Sequence, residues 1–193
     1  HMETDQYFIK WFKRRFSPAR FARTIVKWQK ALNWNANYLE NHDQPRAVSR
    51  FGDDGEHWAA SAKLLAALLF TLRGTPFVYQ GQEIGMTNYP FADMDEVRDV
   101  ESHNIDRVAK KLGFPAGLRM RMIRRTSRDN ARTPMQWTTG KNAGFTEGDP
   151  WLRVNPNYTY INTAAQEGDP GFFFLMIRRP PRPPLFPYTT LFC

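Results

Sequence analysis

Three features of the sequence predict an α/β fold built on parallel strands. A short apolar run over residues 34 to 40 and a second, "FVY", after Pro76 bracket an unbroken Ala/Leu segment, "WAASAKLLAALLFTL", over residues 58 to 72. Strand, loop, buried helix and strand is the pattern of a parallel sheet with crossover helices. Polar residues gather at the C-terminal ends of both strand runs, "ENHDQ" and "QGQE", which is where parallel sheets place their sites.

Each element has a local reason. Ser17-Pro18 predicts a helix start, with serine as cap and proline in the first turn. From 18 to 32, Phe21, Ile25, Trp28 and Leu32 recur at spacings of four, three and four, one face of an amphipathic helix, and Asn33 is its stop. Residues 34 to 40 are too short for another helix and read as a strand. A turn-rich stretch from 41 to 57, with Gly52-Asp53-Asp54-Gly55, leads to the 58–72 helix. That helix is apolar around nearly its whole circumference, which predicts packing on more than one side. Arg73 favours its dipole and Gly74 suits a C-cap. The second strand follows as "FVY" after Pro76. Beyond it, helices are predicted around 95 to 112 and 115 to 126, within a long stretch rich in Asn, Gly, Pro and Thr that includes "RTPMQW" and "NAGFTEGDPWLRVNPNY". A connection of that length carries function or a subdomain.

Composition narrows the classes. The 193 residues suffice for one ordinary domain, and 41% hydrophobic with 15% aromatic content argues against disorder. The aromatic share suits a ring-binding site as well as a core. A net charge of +8 permits polyanionic partners, but the arginines crowd two places. Arg178, Arg179 and Arg182 lie near the C-terminus, and Arg119, Arg121, Arg124, Arg125, Arg128 and Arg132 lie in one segment, without any nucleic-acid-binding signature. No nucleic acid partner is expected. The only cysteine is Cys193, so no intrachain disulfide can form and a reducing, cytoplasmic setting is expected. No apolar stretch reaches the length of a membrane span and no secretory signal is evident, so no membrane partner is expected either. Because the chain starts with His1, the true start is expected to lie upstream. Nothing in the sequence sets an oligomeric state.

The cluster that carries chemistry is Asn41-His42-Asp43. On a regular strand His42 and Asp43 would face opposite sides, so they converge on one pocket only if the strand ends there and the backbone turns. Pro45 favours this by pushing Gln44 into an extended or turn conformation. A carboxylate beside an imidazole suits metal ligation, acid–base work, or stabilisation of a cation with the histidine fixing a substrate. No further His or acidic pair at helical spacing supports a metal, so charge stabilisation fits better, alongside the plainer reading of an ordinary turn.

The blocks "NYLENHDQPRAVSRFGDD", "GTPFVYQGQEIGM", "SRDNARTPMQW" and "NAGFTEGDPWLRVNPNY", in this order with the Ala/Leu helix after the first, resemble the α-amylase family, glycoside hydrolase family 13. The likeness is to its α-glucosidase, oligo-1,6-glucosidase and trehalose-6-phosphate hydrolase group, over residues 1 to 170. The resemblance implies an incomplete (β/α)8 barrel, an α/β TIM-barrel fragment. It would hold about strands 6 to 8, helices 6 and 7, and the long loop after strand 8. It implies a retaining α-glucosidase acting on short oligosaccharides without a cofactor. Such enzymes use an Asp nucleophile, a Glu acid/base and a third carboxylate after the seventh strand. Asp43 matches that third carboxylate, which binds sugar hydroxyls and favours the oxocarbenium-like transition state. His42 matches the neighbouring sugar-binding histidine. Asn41 is expected to brace the turn, Arg46 to bind substrate by lining the cleft or else to support it, and Arg128 to stand near the pocket entrance. Arg132, Gln136 and Trp137 are expected to be structural, and Glu83 to scaffold the site, not to act as an acid.

Two departures accompany the resemblance. Neither the nucleophile nor the acid/base has a counterpart here; Glu3 and Asp5 sit where relatives carry acidic residues after the sixth strand. The fragment by itself is therefore expected to be inactive. The segment 171–193, "GFFFLMIRRPPRPPLFPYTTLFC", breaks the preceding grammar and resembles translated sequencing-adapter read-through, so it is set apart as non-native. A proline-rich ligand is its other reading. The alternative for the whole chain is a catalytically inactive barrel of the same family serving as an assembly module, such as a transporter heavy chain. The intact His42-Asp43 pair favours the enzyme.

Overall fold

A computed structural model describes Phe12 and residues 14 to 167. Glu3, Asp5 and the segment set apart from 171 onward lie outside the described residues. The order of elements is α1 (Pro18–Ala31), β1 (Ala36–Asn37), α2 (Ala47–Phe51), α3 (Trp58–Thr71), β2 (Thr75–Pro76), α4 (Val100–Lys111), α5 (Ala116–Thr126), α6 (Asp129–Arg132) and α7 (Thr163–Gln166). Ser17 caps α1 as expected, accepting the Arg20 N–H at 3.4 Å.

The two strands pair in parallel, Ala36 opposite Thr75 and Asn37 opposite Pro76, with α3 in the crossover. Only two residues of each strand are laddered, fewer than the run 34–40 and the 75–79 strand that the resemblance implies, and the second ladder precedes "FVY". A parallel strand stays regular when both edges and both faces are covered. Here Phe77 and Val78 are 55% and 37% exposed, with no third strand paired to them among the described residues. The same cause limits α3. Ala62, Leu65 and Leu69 are buried, but Leu64 is 70% exposed, so the expected packing on several sides is realised on one.

Gly74 does not cap α3, whose C-cap is Leu72. It stands in the turn before β2 at φ +137°, where a Cβ would come within 2.2 Å of the Asn35 carbonyl. Glycine lets the two chains approach there. The core has three parts. Phe21, Leu39, Val48, Phe51, Leu65 and Leu69 join α1, α2 and α3. Tyr89, Phe91, Val97, Ile105, Met122 and Ile123 form a second body, in which α4 packs on α5. Ile84, Met86, Met135 and Ile161 connect the loops between them.

Candidate active site at the C-terminal ends of the strands

Beyond β1 the chain runs through buried Leu39 and Glu40 and then turns sharply. Asn41 braces that turn: its side-chain oxygen accepts the Asp43 N–H at 2.9 Å and its carbonyl accepts the Gln44 N–H at 3.1 Å. His42 and Asp43 thereby stand side by side, His42 Nε2 at 3.3 Å from Asp43 Oδ2, with side chains 60% and 46% exposed. The convergence required of a strand end is met.

Two arginines close on the other carboxylate oxygen. Arg132 Nη2 donates to Asp43 Oδ1 at 3.0 Å, while its Nε donates to the His42 carbonyl at 3.0 Å. Arg128 Nη1 lies 3.5 Å from the same Oδ1. Arg128 is also held from behind by Asp99, whose Oδ1 accepts Nε at 2.9 Å and Nη2 at 2.5 Å. Burial works to raise the Asp99 pKa. The hydrogen bonds from Arg128 and Ser102 and the Arg128 charge outweigh it, leaving this carboxyl below the usual range. The hydrogen bond to Asp99 is the main reason the Arg128 pKa is pushed up.

Arg46 is where the structure corrects the sequence. Its side chain is 2% exposed, and its donors are met by protein. Nη1 donates to Glu40 Oε1 at 2.9 Å and to the Gln80 carbonyl at 2.7 Å; Nε and Nη2 donate to the carbonyls of Asn130 and Ala131 at 3.3 and 3.1 Å. Glu40 also accepts the Ala47 N–H, tying the two ends of the His42-Asp43 turn together. Desolvation pushes the Glu40 pKa up, against the opposing pull of Arg46. Of its two expected roles, the geometry gives Arg46 support of the cleft; sugar contact is ruled out because its guanidinium is sealed from solvent. Gly81 makes room for it: at φ +90°, a Cβ there would lie 3.0 Å from Arg46 Nη1 and 2.4 Å from Met86 Sδ.

Glu83 caps its own loop, Oε2 accepting the Gly81 N–H at 2.7 Å, and burial raises its pKa. Gln136 is wholly buried and donates to Asn157 Oδ1 at 3.1 Å and to the Ile161 carbonyl, a structural placement. Trp137 is 42% exposed, its backbone N–H held by the Ala143 carbonyl.

Arg132, expected to be structural, is bonded to both members of the pair. A signal was available, since Arg128 and Arg132 are four residues apart and therefore share a face of one helical turn. No signal pointed to Glu40 or Asp99. Among the described residues no group of three or more His, Cys, Asp or Glu could hold a metal ion, and no helix is long and apolar enough to cross a membrane.

The alpha-amylase catalytic domain family matches residues 2–179, running past the boundary drawn at 170. A probable oligo-1,6-glucosidase of Bacillus subtilis is 51% identical over 177 residues, covering 88% of this chain and 31% of that protein. An oligo-1,6-glucosidase of Parageobacillus thermoglucosidasius is 51% identical over 170 residues, 86% of this chain and 30% of that protein. The crystal structure of a trehalose-6-phosphate hydrolase from Bacillus licheniformis superposes with a TM-score of 0.85 at 42% identity, over 90% of this chain and 33% of that one. The chain thus spans about a third of the length of the relatives it matches. Its paired parallel strands with a crossover helix are part of a TIM-barrel glycoside hydrolase fold. By family match, the chain belongs to the alpha-amylase family of glycoside hydrolases.

Proposed function

We propose that this chain is the C-terminal part of the catalytic barrel of a retaining α-glucosidase that releases α-linked glucose from short oligosaccharides. In this reading β1 is the seventh barrel strand, β2 the eighth, α1 the sixth helix and α3 the seventh. In the same reading residues 171–193 are set apart from the enzyme, although the family match continues to residue 179. A cytoplasmic setting is part of the same proposal.

One observation carries the reading: a half-exposed carboxylate, Asp43, stands just past a parallel strand among His42, Arg128 and Arg132. A carboxylate so placed can accept hydroxyls of a pyranose ring and favour the positive charge that develops at its anomeric carbon. His42 and the arginines supply donors to the same sugar's oxygens. As glucose enters, its hydroxyls replace arginine N–H groups on Asp43, an exchange that solvent-exposed pairs permit at low cost. Nucleophile and acid/base have no candidates in this chain, so the 193 residues alone are expected not to hydrolyse p-nitrophenyl α-glucoside.

The test is Asp43→Asn in the full-length protein. The amide keeps the shape and loses the charge. kcat/KM for p-nitrophenyl α-glucoside is expected to fall about a thousandfold, about 4 kcal/mol of transition-state stabilisation, with the thermal midpoint nearly unmoved. Undiminished turnover would remove Asp43 from the mechanism.

A further inference from the structure

We propose that Asp99 is the positioning residue for Arg128, so that the body formed by α4 and α5 sets where this arginine stands at the pocket. The proposal rests on the α-glucosidase reading above and extends it from the strand ends to the appended helices.

The geometry is a two-way strap between the start of α4 and the start of α6. Asp99, whose side chain is 1% exposed, caps α4 by accepting the N–H groups of Glu101 and Ser102 at 3.3 and 3.2 Å. Its Oδ1 also receives two of the three guanidinium nitrogens of Arg128. In return Asp129, the neighbour of Arg128 and itself fully buried, accepts the backbone N–H groups of Arg98 and Asp99 at 2.6 and 2.8 Å. The two segments are thus tied twice, side chain to side chain one way and side chain to backbone the other.

Two donors on one acceptor set the plane of a guanidinium as well as its position. With Nε and Nη2 committed to Asp99, Nη1 is the nitrogen directed at Asp43, 3.5 Å away. Glu101, with Oε2 3.5 Å from Arg128 Nε, adds a more exposed carboxylate to the same side. Val97, two residues before Asp99, and Ile105 of α4 belong to the second core with Met122 and Ile123. The helix that Asp99 caps is thus anchored in that core, and its buried carboxylate reaches the arginine beside the candidate catalytic group. Arg132 differs: Asp43 and the His42 carbonyl orient it directly.

The experiment separates orientation from folding. Asp99→Asn in the full-length protein keeps a capping acceptor of the same size but removes the charge that holds Arg128. KM for p-nitrophenyl α-glucoside is expected to rise about tenfold with kcat within about twofold of wild type, the pattern of lost binding. In an Arg128→Ala background the same change is expected to add nothing, because the residue it orients is gone. Hydrogen exchange at Arg128 Nε–H reads the clamp without turnover: slow in wild type, about tenfold or more faster in the variant. An equal KM rise in both backgrounds, an unchanged KM, or unchanged Nε–H exchange would overturn the proposal. Asp99→Ser repeats the test with another capping side chain; if neither variant folds, Asp99 serves α4 alone and the assignment fails. A wild-type protein that ignores p-nitrophenyl α-glucoside yet protects Arg128 Nε–H in an Asp99-dependent way would sink the glucosidase reading and leave the clamp standing.

Discussion

Two carboxylate–arginine pairs flank the same turn, and they are built for opposite purposes. Glu40 and Arg46 meet at 2.9 Å with side chains 1% and 2% exposed. Asp43 and Arg132 meet at 3.0 Å with side chains 46% and 27% exposed. The distances hardly differ; the surroundings do. In the buried pair the donors of Arg46 end on Glu40 and on three carbonyls from two further segments, so the pair holds the turn, the Gln80 loop and α6 as one piece. In the exposed pair the same chemistry is screened by water and can be traded for another hydrogen-bonding partner. Burial makes the first pair a fixture of the cleft, while exposure leaves the second open to a ligand.

The contrast can be broken most severely at Arg46. Arg46→Ala leaves Glu40 buried and unpaired and opens three carbonyls, and is expected to cost about 3–5 kcal/mol of stability. Urea denaturation of the full-length protein measures it, and a loss under about 1 kcal/mol would mean that the hub does not hold the loops. A smaller blow comes from Gly81→Ala, which forces a side chain into a left-handed backbone and against Met86. Its expected cost is about 1–3 kcal/mol. KM should change with it, because Arg46 must shift and the His42-Asp43 turn moves too; a fully neutral variant would show that the loop has slack. The mildest case is Arg132→Ala, expected to alter stability by less than about 1 kcal/mol. It should still raise KM a few-fold, through loss of a donor beside the sugar. Should Arg132→Ala destabilise as much as Arg46→Ala, burial would not be what separates the pairs.

Much of this was legible before any coordinates. The spacing of Phe21, Ile25 and Trp28 fixed α1, Ser17 marked its start, and the Ala/Leu run fixed α3, since local propensity and periodicity act over a few residues. Asn41, Asp43 and Pro45 announced a turn through backbone chemistry that is equally local. Arg46 misled because a charged side chain beside a site motif reads the same whether it faces a ligand or a sealed interior. Its partners Asn130 and Ala131 are more than eighty residues away. Asp99 gave even less: it falls inside the helix expected around 95 to 112, and only the folded chain makes it a cap and brings an arginine to it.

The sequence by itself determined the four longer helices, the turn that presents His42 and Asp43, and the family to which the blocks belong, because each is written in residues close together along the chain. The tertiary structure alone decided which arginines brace and which stand at the opening. That choice depends on whether folding seals a guanidinium away from water or leaves it at the surface, and burial is a property of segments brought together from far apart.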